Sequence, residues 1–325
     1  MLKIGIIGAG RMGSVHAEAL KGVKDAELHG VYDPAEETVA AFKAKFGVAK
    51  AYPSVAALAG DKALDAVLVC NFSDQHHQTM VELLDAGKKT LFCEKALVRQ
   101  LADGEDLLRR VKQTGAQVMV GHHRRHIPGY AALHKTVAEG RLGKVRMAKA
   151  ALCANGYARQ WGDFFADFER SGGVILDMMS HVFDQLNWYF GAPESASGLS
   201  LMIDRSMPLP VDFMSATLKY QSGPICSVEG AWQRYGVGYD KIEVYGDEAT
   251  AIYDGGDKLH LYRKDEHTEI SVGNPPAYAA QMNAFVQMAK TGEPPLNGIQ
   301  EGFDSVRVAL GVIEAAKSGQ TFKFN

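Results

Sequence analysis

Six residues near the N-terminus, Gly8-Ala9-Gly10-Arg11-Met12-Gly13, restrict this chain more than any other stretch. The mostly apolar run Lys3–Ile7 precedes them and reads as a strand, and Met12–Leu20 behind them carries a helical pattern. An acid, Asp33, stands twenty positions beyond the last glycine, at the end of the next apolar run. Strand, G-x-G-x-x-G, helix and distant acid together are the context in which such a turn holds a dinucleotide. The first glycine permits a tight turn, the second lets the backbone approach a pyrophosphate, and the third lets helix and strand pack closely. The helix start, at Arg11, Met12 and Gly13, offers N–H groups and the positive end of its dipole. A glycine-rich turn without a ligand is the plain alternative, and the full context argues against it.

Asp33 sets the kind of dinucleotide. A carboxylate there accepts both ribose hydroxyls, whereas a 2′-phosphate would face like charge, at about 4 kcal/mol for unit charges ~4 Å apart in an effective dielectric near 20. Pro34-Ala35-Glu36-Glu37 supplies no cation to offset it. NAD is expected rather than NADP.

Residues 1–121 keep the same rhythm. Apolar runs at Ala26–Tyr32, Ala66–Cys70, Thr90–Cys93 and Gln117–Val120 are spaced by the amphipathic stretches Ala35–Phe46, Asp74–Ala86 and Gln100–Gln113. This alternation predicts a doubly wound parallel sheet, an α/β Rossmann domain. Ser73 is the expected N-cap of the helix after the fourth run, and Gly87 its stop. Beyond Gly121 most segments alternate as strands: Lys144–Ala154, Ser195–Ile203, Asp212–Tyr220, Ile225–Trp232, Asp240–Tyr245, Ala249–Tyr253 and Lys258–Tyr262. Short turns between several of them predict a large, mostly antiparallel, open-faced sheet, so residues 122–325 form a second, α+β domain. Helices are expected at Val174–Phe190, Tyr278–Lys290 and Gly298–Ser318.

At 325 residues, two domains are the natural expectation. A net charge of −3 offers nothing to a nucleic-acid backbone or an anionic membrane, and no apolar run approaches a bilayer span. The N-terminal residues run straight into the glycine turn, so no signal peptide is expected. Cys70, Cys93, Cys153 and Cys226 are far apart, none at metal-ligand spacing, which points to a reduced, cytoplasmic setting.

Hydride transfer needs a group near the nicotinamide that manages the substrate proton. Two places stand out. Glu94-Lys95-Ala96 lies at the carboxyl end of the fifth run, where open parallel sheets hold ligands. Further on, Asp177, His181 and Asp184 fall on one face of the expected helix. Each has a structural explanation: Lys95 and Glu94 as a solvated ion pair, Asp177 and His181 as an i,i+4 pair. The helix is apolar nearly all round, though, and buried Asp and His need partners. The Asp–His spacing lacks a third ligand, so no metal is expected.

These motifs resemble the Gfo/Idh/MocA family of NAD(P)-dependent oxidoreductases. Its E-K-P appears as Glu94-Lys95-Ala96, its G-G-x-x-x-D-x-x-x-H-x-x-D as Gly172 through Asp184, and its sheet motif as Ile242 through Asp247. Cys70 through His76 resembles its T-P-N-x-x-H, with Asn71 and Phe72 in place of Thr and Pro. The resemblance implies that Lys95 polarises the reacting oxygen and His181 acts as general base. Asp177 holds Lys95 or substrate, and Asp184 contacts further hydroxyls. Asn71, Phe72, His76, Glu94 and Lys95 join the cofactor site. Arg125-His126-Ile127-Pro128 resembles the family's R-F-x-P. The basic run His122–His126 around it is a solvated hinge, or else Arg125 or a neighbouring histidine contacts an acidic substrate. Tyr157, Trp161 and Tyr239 sit where family members line a sugar pocket. The implied activity is hydride exchange between a secondary alcohol of an inositol, aldose or sugar acid and NAD. Alternatives are a keto-sugar or inosose reductase, a redox-assisted glycoside-cleaving enzyme, and a non-catalytic nucleotide-sensing regulator. A homodimer or homotetramer through the second sheet is also implied.

Overall fold

The computed structural model describes residues 1–155, 164–201, 213–234 and 238–324. The chain divides into two compact units, one of Met1–His123 with Pro276–Phe303, the other of Arg124–Pro275 with Asp304–Asn325.

The first unit carries β1 (Leu2–Ile7), α1 (Arg11–Leu20), β2 (Ala26–Tyr32), α2 (Glu36–Phe46), β3 (Lys50–Ala51), α3 (Val55–Ala59), β4 (Ala66–Val69), α4 (His76–Asp85), β5 (Thr90–Cys93), α5 (Leu101–Thr114) and β6 (Gln117–Val120). The six strands pair in the order β3-β2-β1-β4-β5-β6, all parallel. The central strands are nearly continuous in Ile, Val and Leu because helices cover both faces. Strand order reverses between β1 and β4, which opens a crevice at their carboxyl ends. Ser73 does not cap α4: Ser73–Gln75 form a 3₁₀ turn first, and the helix begins at His76.

The second unit holds α6 (Pro128–Ala138), β7 (Val145–Asn155), α7 (Phe168–Ser171), α8 (Gly173–Asp177), α9 (Ser180–Phe190), β8 (Pro193–Leu201), β9 (Phe213–Tyr220), β10 (Ile225–Arg234), β11 (Tyr239–Gly246), β12 (Thr250–Tyr253), β13 (Lys258–Arg263) and β14 (Glu266–Ser271). The chain then runs through α10 (Ala277–Thr291) and α11 (Ile299–Ser318) to β15 (Phe322–Lys323). Among the described residues nine strands form one sheet, β14-β13-β12-β11-β7-β10-β9-β8-β15, antiparallel except where β7 meets β10. In β9 the alternation is complete: Met214, Ala216, Leu218 and Tyr220 are buried while their neighbours face out. One face of the sheet is therefore core, and the other is open.

Two expectations change. Pro276–Phe303 belongs to the first unit, not the second, because Met282, Phe285, Val286 and Met288 of α10 enter the same core as Ile4, Ile6 and Phe92. The Phe285 ring meets Phe92 edge-on at 5.9 Å. The single helix expected over Val174–Phe190 is two. The N–H groups of Met178 and Met179 both go to the Val174 carbonyl, and the ladder restarts from Met178 and Met179. Met179 is buried against Gly230 of β10, where a Cβ would fall 2.5 Å from its sulfur.

Candidate active site

At the switch point, Gly8 has φ +94° and is pressed against the loop after β4: a Cβ there would lie 2.6 Å from the Asn71 nitrogen. Gly13 approaches Gly8 so closely that a Cβ would sit 2.0 Å from its carbonyl oxygen. Gly10 is different, since a Cβ on it would meet nothing within 4 Å. Two glycines thus close the turn, and the middle one leaves open space above the start of α1. No side chain caps α1 and no acid stands in its first turn, so its N–H groups and dipole suit a pyrophosphate. Asp33, half-buried, accepts the Ala9 N–H at 2.9 Å and the Ala35 N–H at 3.0 Å, one on each oxygen. Spare lone pairs on both oxygens leave it able to accept ribose hydroxyls. Phe72, exposed in the loop after β4, offers an apolar surface beside the crevice.

Glu94 follows β5 and is buried. Its Oε1 accepts from His16 Nε2 at 2.5 Å, and its Oε2 accepts the Lys95 N–H at 3.0 Å. Burial alone would raise its pKa, but the His16 hydrogen bond and charge, with Lys95 and His123, hold it below the ordinary 4.5. His16 comes from α1 and packs edge-on to Phe92 and to Tyr278 of α10. The Lys95–Ala96 peptide bond is cis. Lys95 itself is half-buried, and the Ala96 carbonyl lies 3.0 Å from Nδ1 of His76. His76 Nε2 stands 3.1 Å from the Asn71 carbonyl, so this ring ties the loop after β4 to the loop after β5. Burial lowers the His76 pKa against the opposing pull of these carbonyls and of Glu94. Glu94 and His76, expected as cofactor contacts, are buried here and brace the segments carrying Lys95 and Asn71. Asn71 donates to Thr79 at 2.9 Å.

In the second unit, Asp177 ends α8 half-buried, and buried His181 lies in the first turn of α9. The break between these helices removes the single shared helical face expected for Asp177, His181 and Asp184. Asp184 is fully buried, and Arg125 holds it with two bonds of 3.0 and 2.8 Å. Arg124 forks onto Asp240 at 3.0 and 2.6 Å, and also donates to Tyr130 and Gln185. Within the basic run, Arg124 and Arg125 are therefore buried anchors rather than parts of a solvated hinge, held by the half-buried Asp240 and the fully buried Asp184. Tyr239 opens β11 opposite Cys153 and reaches solvent. Tyr157 and Trp161 lie outside the described residues. The His16–Glu94 and Arg124–Asp240 pairs have no sequence signal: their members are 78 and 116 positions apart.

Comparison with known proteins fits this arrangement. Residues 2–122 match the GFO/IDH/MocA oxidoreductase family with its NAD-binding Rossmann fold, and residues 130–252 match the GFO/IDH/MocA C-terminal domain. The chain is 30% identical over 315 residues to myo-inositol 2-dehydrogenase of Thermotoga maritima, spanning 93% of this chain and 92% of that protein. Identity to inositol 2-dehydrogenase of Rhizobium meliloti is 29% over 311 residues, spanning 90% and 89%. A solved levoglucosan dehydrogenase, in complex with NADH and levoglucosan, shares the fold at TM-score 0.91 and 17% identity, over 99% of both chains.

Proposed function

The chain belongs to the Gfo/Idh/MocA family of NAD-binding oxidoreductases, and we propose that it oxidises a secondary alcohol of a polyol or sugar, with NAD as its preferred cofactor. The carrying observation is the crevice where β1 and β4 part. Closed glycines, an open Gly10, an uncapped helix start and Asp33 converge there, and Lys95 stands just past the end of the neighbouring β5. The inositol dehydrogenases similar to this chain support the substrate class.

Bound NAD supplies a hydride acceptor at the nicotinamide carbon. The N–H groups of Arg11, Met12 and Gly13 would hold the pyrophosphate, Asp33 would accept the ribose hydroxyls, and Phe72 would offer the cofactor an apolar surface. Lys95 donates to the reacting oxygen and stabilises negative charge on it as the C–H bond breaks. His181 accepts the hydroxyl proton, and Asp177 orients a neighbouring hydroxyl. With the hydride acceptor that NAD would supply, oxidation of the alcohol to the ketone would leave its hydroxyl proton on His181.

The open sheet face carries Leu199 and Leu201 at 72% and 64% exposure, with exposed Phe213 paired opposite Leu201. An apolar patch of this kind supports self-association through the sheet, which sedimentation velocity reads directly. No helix of the described residues is long and apolar enough to cross a membrane, and all four cysteines are free, in keeping with a reducing, cytoplasmic compartment.

The test is a panel of inositols, aldoses and uronic acids with NAD and NADP, followed by NADH absorbance, alongside Lys95→Met and His181→Ala. Both variants should lose at least 100-fold in kcat on the substrate found while still binding NADH. Full activity in both would overturn the assignment of these residues.

A further inference from the structure

The hairpin β13–β14 at the edge of the large sheet carries chemistry that hydride transfer does not use. Leu259 and Leu261 point into the core, so Lys258, His260 and Tyr262 face the other way. Register places Glu269 opposite His260 and His267 opposite Tyr262. His260, His267 and Glu269 therefore share one face, each offering one ligand atom, and these atoms lie within 4.8 Å of one another. Nδ1 of His260 is 3.2 Å from Nε2 of His267 and 3.7 Å from Oε1 of Glu269.

We propose that this hairpin face binds a divalent transition cation of the zinc class through His260 Nδ1, His267 Nε2 and Glu269 Oε1. Two imidazole nitrogens each ~2.1 Å from a metal stand about 3.0 Å apart at a right angle and about 3.4 Å apart in a tetrahedron. The observed 3.2 Å falls between these values. Imidazole and carboxylate suit zinc, nickel and copper rather than magnesium or calcium.

The face is arranged before any ion arrives. The His267 ring stacks on Tyr262 at 4.2 Å and 3°, which fixes its plane, and the His260 ring lies nearly parallel to His267. Lys258 Nζ, 2.5 Å from Glu269 Oε2, occupies the far carboxylate oxygen and leaves Oε1 toward the histidines. The same lysine holds Glu269 below its ordinary pKa, so the ligand is a carboxylate at neutral pH. Three protein ligands leave coordination positions open to water or a small anion.

Zinc chloride alone, titrated into the full-length, tag-free protein by calorimetry in a non-coordinating buffer, tests this. The wild-type chain should take up one equivalent below 100 μM free zinc. His260→Ala and His267→Ala should each weaken that equivalent at least tenfold, and the double variant should lose it. Glu269→Gln should weaken it less, because the amide oxygen still ligates. All three side chains reach solvent, so the variants should keep the wild-type circular dichroism spectrum and NADH affinity. No uptake by the wild type, or a double variant that retains the equivalent, would overturn the proposal.

Discussion

Asp33→Asn separates two jobs that one side chain performs. The carboxylate uses one oxygen for the Ala9 N–H and the other for the Ala35 N–H, and its charge opposes a 2′-phosphate. Asparagine is isosteric but keeps only one acceptor, so one backbone N–H meets an NH₂ group instead. A lost hydrogen bond of this kind is worth about 1 kcal/mol, so NADH affinity should fall about fivefold. Removing the charge acts in the opposite direction on NADPH. For unit charges ~4 Å apart the repulsion is about 4 kcal/mol at an effective dielectric of 20, and solvent at this half-buried group reduces it to about 2. After subtracting the loop term, NADPH should bind about fivefold more tightly than to the wild type. The NADH-to-NADPH preference then shifts by roughly 30-fold. Fluorescence titration with each reduced cofactor needs no substrate and reads this ratio. Repeating it at high salt distinguishes the terms, since screening shrinks the charge effect and leaves the hydrogen-bond loss in place. Equal affinity of the wild type for both cofactors, or an unchanged ratio in the variant, would refute the reasoning.

Two further perturbations probe the buried pairs. His16→Leu removes the partner of Glu94 Oε1 inside the core, and loss of a hydrogen bond to a charged group should lower stability by about 1.5–3 kcal/mol at pH 7. In the native chain the depressed Glu94 pKa contributes stability above the ordinary carboxylate range, lost as pH falls through the folded value. With leucine, only Lys95 and His123 remain to offset burial and the pKa rises, so the variant's deficit should shrink between pH 7 and pH 5. Urea midpoints at both values measure this, and a constant deficit would contradict it. Arg125→Met strands the fully buried Asp184 carboxylate and should destabilise by about 3–5 kcal/mol in the same assay, with Asp184→Leu in the same chain recovering most of it. A loss below about 1 kcal/mol, with weakened substrate binding instead, would make Arg125 a substrate contact and not an anchor.

What the residues reveal on their own is local. The glycine turn, its strand and helix, the distance to Asp33, and the alternation of β9 all depend on neighbours within a few turns of chain, and each is read from spacing. The sheet order puts the turn where two strands part, as the parallel pattern implies. Partners far away in sequence are not legible. The family motifs mark Glu94 and His76, but nothing in the spacing says that His16 and the Ala96 and Asn71 carbonyls surround them. Arg124 and Arg125 look solvated in a basic run until Asp240 and Asp184 are placed beside them. The broken helix is the sharpest case. Helical periodicity in Val174–Phe190 is strong because nearly every side chain is apolar, and such a pattern is blind to a shift in the backbone ladder. The break at Met178–Met179 goes with a vacancy on another element: Gly230, with no Cβ, is the place in β10 that admits the Met179 side chain. That packing goes with the turn between Asp177 and His181, so the geometry of the proposed base and its orienting neighbour depends in part on a glycine that carries no chemistry of its own.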